Sequence, residues 1–157
     1  MKTIILILCA AAAFAQSGVQ ATHVIKTSTA SMTADKLTVQ QSQSNPAVVR
    51  MVAGVVECTV AATVTVLVGG TAPTATSATP SPVNPGGTAS VLTAYTSSDV
   101  GTGTAVSVAY SFSANVPFTL DLTHISFSGL GTTRNVSLSI ATGSSATCKS
   151  ALYWKEN

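Results

Sequence analysis

The sequence predicts an all-β protein, an antiparallel β-sandwich of jelly-roll or immunoglobulin-like kind, and three observations predict it. Apolar residues alternate with polar or small ones in several short runs, the period of a strand with one face on a core. Gly and Pro clusters separate those runs. After the first fifteen residues, no long stretch repeats apolar residues at the spacing of an amphipathic helix. The 157 residues suit one domain with one core. Three segments are expected along it: residues 1–15, an extended N-terminal arm over 16–45, and the sandwich over 46–157.

The opening MKTIILILCAAAAFAQ reads as a secretory signal. Lys2 supplies the positive start, Ile4 to Ala13 the apolar stretch, and Ala13-Phe14-Ala15 a small-residue cleavage site before Gln16. The apolar run is too short for a membrane span in the mature chain. A secreted, extracellular or cell-surface protein is therefore expected.

Residues 16–45 are rich in Gln, Ser, Thr and Ala, with two apolar patches, Val24-Ile25 and Leu37 with Val39. Such a segment is either a flexible arm or a strand in need of a partner sheet. The sandwich strands follow. Val56, Cys58 and Val60 share one parity, and Val64, Val66 and Val68 continue the pattern. After a Pro/Thr/Ser loop over 71–90, the alternating sets are Val106, Val108, Tyr110 and Phe112, then Phe118, Leu120 and Leu122, then Val136, Leu138 and Ile140. Leu152 and Trp154 close the expected core.

Removing the signal removes Cys9 and leaves Cys58 and Cys148. Two cysteines in an exported chain are expected to pair. Parity supports the pairing. Glu57 is expensive to bury, so Cys58 should point inward. Cys148 shares the parity of Leu152 and Trp154, opposite to Lys149 and Lys155. The bridge would staple an early strand to the last one.

Charge excludes some functions. Without residues 1–15, six basic and five acidic residues remain, and Lys26, Lys36, Arg50, Arg134, Lys149 and Lys155 are scattered. No concentrated positive field exists for nucleic acid. Catalysis is not expected. Asp121 and His124 lie near each other among many serines, but no G-x-S-x-G elbow accompanies them, and in an extended strand they point to opposite faces. Remote histidines and the lack of a Cys-x-x-Cys or Asp-x-Asp run leave no metal site, and no cofactor is expected. Asn135-Val136-Ser137 is an N-glycosylation sequon with Asn135 on the outward parity.

What remains is a mild, nearly uncharged β surface. Natural sheets protect their edges with charge, and this chain has little to spend there. The expectation is a secreted structural protein, a self-assembling subunit of an extracellular filament, coat or matrix. Copies would join by strand addition, with Val24, Ile25, Leu37 and Val39 as inter-subunit contacts. The alternative is a secreted carbohydrate-binding or adhesion module for extracellular or cell-surface polysaccharide. Its weakness is that most aromatics fall on inward parities.

Overall fold

Strand-forming Val, Thr and Ser dominate the chain, and strands are what they build. The computed structural model describes residues 21–41, 47–69, 77–97, 103–128 and 134–157, and no helix occurs among them. The strands are β1 (His23–Gln41), β2 (Val48–Cys58), β3 (Ala62–Val68), β4 (Ser77–Ala78), β5 (Ser81–Pro82) and β6 (Leu92–Ser97). They continue as β7 (Thr104–Ala105), β8 (Tyr110–Phe112), β9 (Phe118–Asp121), β10 (Ser126–Ser128) and β11 (Arg134–Glu156). The signal expected over 1–15 lies outside the described residues.

The first and last strands form the spine. β1 runs antiparallel to β11 from His23 opposite Trp154 to Gln41 opposite Arg134. The other edge of β11 carries β2 along one half, Cys148 to Glu156, and β3 along the other, Val136 to Thr142. β2 and β3 thus lie end to end as one interrupted strand. β9 and β10 flank β2, while β7 and β8 flank β3. On the far edge of β1 sit β5, β6 and, beyond β6, β4.

All four long tracks break at the same level. β1 shifts register between Thr29 and Ala34, with Ser31 in the left-handed region at φ 55°. β2 and β3 separate at 59–61, and β8 and β9 at 113–117, where Asn115 has φ 57°. On β11 the break falls between Thr142 and Cys148, where the Thr142 hydroxyl bonds to the Ser144 carbonyl at 2.8 Å. There the sheet folds back, and its eleven strands form one antiparallel sheet curled into a half-barrel. Its two leaves face each other. A Cβ on Gly54 in one leaf would lie 3.0 Å from a Leu138 methyl in the other, so the close approach requires glycine there. Between the leaves Leu37, Val39, Val56, Val64, Leu138, Ile140, Leu152 and Trp154 are buried.

The disulfide sits at this fold. Cys58 and Cys148 are bonded and stand directly opposite each other on β2 and β11. Thr59 N–H donates to the Thr147 carbonyl, and the Cys58 carbonyl instead accepts from Asn115 N–H at 2.7 Å. The cysteines therefore occupy a non-hydrogen-bonded pair, where facing side chains come closest.

Three expectations are corrected. Two separate sheets are not formed, because β1 and β11 each continue through the fold from one leaf into the other. Of the expected arm, residues 16–20 and 42–45 lie outside the described residues, and the rest forms β1, flanked on both sides within its own chain; Ile25, Leu37 and Val39 are buried there rather than offered to another subunit, and Val24 is half-buried. The polar residues between the two apolar patches fall at the fold, which is why the segment resembled a loose tether. Asn135 is also buried, at 4% exposure. Gln40 of β1 stands opposite it, and Gly69 N–H, just past β3, donates to its carbonyl at 3.1 Å; the nearby Thr38 and Ser137 hydroxyls are 2.8 Å apart.

Candidate functional site

Two regions gather the polar and exposed groups that the fold leaves over. The first closes the free ends of the leaves opposite the fold. Residues 83–91 connect β5, beside His23, to β6, beside Gln41, and so cross from one leaf to the other. Glu156 pins this crossing. Its carboxylate accepts from the Ser90 hydroxyl, from Val91 N–H at 3.0 Å and from the Trp154 indole N–H at 2.7 Å. His23, buried and stacked on Trp154, donates from Nε2 to the Thr88 carbonyl at 2.9 Å, and its Nδ1 meets the Thr22 hydroxyl.

Serine, histidine and glutamate meet here, yet not in a nucleophile's order. The Ser90 hydroxyl is spent on Glu156, and the Nε2 that would have to accept its proton is spent on a backbone carbonyl. The cluster is a latch. Nothing in the sequence singled out Thr88 or Ser90, since both sit in a Pro/Thr/Ser stretch without periodicity.

The second region is the opposite lateral edge, along β7, β8 and β9. Val106 N–H still reaches the Val66 carbonyl at 3.0 Å, but the next partner of β3 is a side chain: Ser107 Oγ accepts from Val66 N–H, also at 3.0 Å. Ser107 then donates to the Val108 carbonyl at 2.9 Å. Residues 106–109 therefore stand off β3 as a pinned lobe. Between lobe and β9 opens a cleft of about 250 Å³, lined by Val66, Val106, Tyr110, Phe118, Leu120 and Leu122, with Ser107, Thr119, Asp121 and His124 also on its walls. Tyr110 and Phe118 lie 5.9 Å apart, and Phe118 stacks on Phe112 at 5.6 Å, which carries the apolar surface across the fold.

Here the expected core is corrected. Val106, Val108 and Tyr110 have the inward parity that the sequence showed, but they are 43%, 71% and 39% exposed. Val106 and Val108 lie in the 106–109 segment that leaves the ladder between β7 and β8, so strand alternation does not set their direction. Val116, in the β8–β9 connection, is 53% exposed as well.

Asp121 and His124 lie at this cleft without forming a catalytic pair. Asp121 Oδ1 accepts from Thr123 N–H at 2.9 Å and from the Thr123 hydroxyl at 2.7 Å, a capped turn. Those two bonds, with a smaller contribution from His124, hold the carboxyl below its ordinary range against slight desolvation. Among the described residues, no group of three or more His, Cys, Asp or Glu side chains could hold a metal ion. No family model matches this chain, and no curated protein or solved structure matches it.

Proposed function

We propose that this protein is a secreted structural subunit that works by associating with copies of itself, through the β7–β9 edge rather than by a donated arm. One observation carries the reading. Among the described residues, four of the six exposed large apolar side chains, Val106, Val108, Tyr110 and Val116, lie on that edge. Residues 103–120 contain no charged side chain, and Asp121 at the end of β9 follows them, so repulsion between copies along this stretch is small. The disulfide suits an oxidising, extracellular type of environment, as a secreted subunit requires. Among the described residues, no helix is long and apolar enough to cross a membrane.

The carbohydrate-binding reading has one observation of its own: Tyr110 exposes part of its ring beside Asp121 and His124. The three valines around it weaken that reading, because a sugar site pairs its aromatic platform with polar groups. Negative-stain microscopy of the natively secreted protein, together with retention on polysaccharide columns, separates the two. Ordered assemblies without retention support the structural subunit. Dispersed particles that are retained support the binding module.

A further inference from the structure

We infer that the outer face of the leaf built from β1, β11 and β2 binds an acidic polysaccharide, a polymer whose sugar rings carry carboxylates. This surface is separate from the β7–β9 edge and does not depend on self-association there.

Register gathers what the sequence disperses. Residues directly opposite each other on paired strands share a face, and the buried Cys148, Leu152 and Trp154 hold the inner face of this leaf. The outer face therefore carries Lys149 and Lys155 of β11, Lys26 of β1 opposite Ala151, and Arg50 of β2 opposite Lys155. These are four of the six cations beyond residue 15. Lys26, Arg50 and Lys149 are exposed, and Lys155 is half-buried. Two acids share the face, Glu57 opposite Lys149 and Asp121 opposite Ala53, so its net charge is positive. Among the described residues, none of the four cations is held in an ion pair. Glu156 lies on the inner side and is spent on the latch.

Arg50 and Lys155 are the informative pair. Like charges directly opposite each other weaken a sheet, and a local conflict of this kind is expected where a surface serves a function. A carboxylate set over the pair would accept from both side chains, with two parallel bonds from the guanidinium, and would turn the repulsion into attraction.

Spacing selects the partner. From Lys149 to Lys155 the strand rises about 20 Å, so the four cations average about one per 5 Å along it. Duplex DNA presents a charge about every 1.7 Å and is matched by a denser field. A chain of sugar acids, with one carboxylate per ring, presents fewer. Between the Arg50–Lys155 pair and Lys26 lies the row of Val24 and Tyr153, both half-buried, on which the C–H face of a sugar ring can rest. The disulfide suits the extracellular type of setting in which such a polymer is met.

The test measures binding of the full, disulfide-closed chain to polygalacturonate, with neutral dextran, phosphatidylserine vesicles and duplex DNA alongside. The natural chain should bind polygalacturonate in preference to the other three, and less tightly as salt rises. Arg50→Gln combined with Lys155→Gln should weaken that binding about tenfold or more, as loss of charge-assisted hydrogen bonds does. Its denaturation midpoint should stay level or rise, because the like charges are gone. Lys26→Gln combined with Lys149→Gln, at the other end of the track, should weaken binding as well. Equal binding to dextran would assign retention to the Tyr110 cleft and overturn the inference. Tighter binding to vesicles or DNA, unchanged binding in both double variants, or no binding by the natural chain would also overturn it. Sedimentation of the same variants reads self-association separately, so failure here leaves the β7–β9 reading standing.

Discussion

At the level of single residues, the contact between Gly54 and Leu138 decides how closely the leaves approach. Leu138 is fully buried, so Leu138→Ala should cost on the order of 2–5 kcal/mol. Gly54→Ala would press a methyl to within 3.0 Å and 3.1 Å of the two Leu138 methyls. Overpacking of that kind costs about 1–3 kcal/mol. The two substitutions should not add, because the space vacated at 138 receives the methyl added at 54. Denaturant unfolding of the two single variants and the double variant measures the coupling, and strict additivity would place these residues in separate surroundings. The Asp121 turn gives a second expectation. Its carboxyl is lowered from 3.8 by the Thr123 bonds, so they stabilise the fold above that pH and are lost as the pH falls through the lower folded value. The side chain is mostly in water, so the effect on stability is small, but titration resolves it. In Thr123→Ala the Asp121 carboxyl resonance should move back toward the ordinary value, and an unchanged midpoint would remove Thr123 as the cause.

At the level of elements, β1 carries the largest departure from the sequence reading. Its apolar residues were visible as two patches, but the bulged stretch between Thr29 and Ala34 hid that both belong to one strand folded across two leaves. Period-two reading assumes an unbroken register, and each shift at the fold resets it. Elsewhere parity was informative, since the further shift between Tyr153 and Trp154 skips a residue of β2 and not of β11: Cys58, Cys148, Leu138, Ile140, Leu152 and Trp154 are inward and buried. Glu57, the residue that oriented the Cys58 assignment, is only half-exposed, so the argument from its charge gave the correct face without the full solvation it assumed. Parity failed between β7 and β8 because residues 106–109 leave the ladder, and alternation sets a side chain's direction only within a strand. Tyr110, the first residue of β8, is exposed as well. The cleft was for that reason illegible, although its residues had been identified. An expectation for β1 follows: deleting residues 23–41 exposes one entire edge of β11, and the remaining chain should fail to fold. Cooperative unfolding of that truncated chain would show instead that β1 is a dispensable addition.

For the molecule as a whole, closure is uneven. One side is latched by Glu156, His23 and Ser90, the fold is stapled by Cys58–Cys148, and among the described residues the β7–β9 side leaves Val106, Val108 and Tyr110 exposed. The bridge spans 90 residues of sequence, a loop for which chain entropy gives about 4–5 kcal/mol of stabilisation. For a domain with a net stability of about 5–15 kcal/mol that share is large, so the reduced protein should unfold at much lower denaturant concentration than the oxidised one. Equal midpoints would mean that the bond adds nothing to a fold already held by β1 and β11. The open side bears the functional claim, and sedimentation velocity of the secreted, disulfide-closed chain over a wide concentration range tests it most directly. The account predicts a sedimentation coefficient that rises with concentration in the natural sequence and stays at the monomer value in Val108→Asp. A natural chain that sediments as a monomer throughout would contradict it.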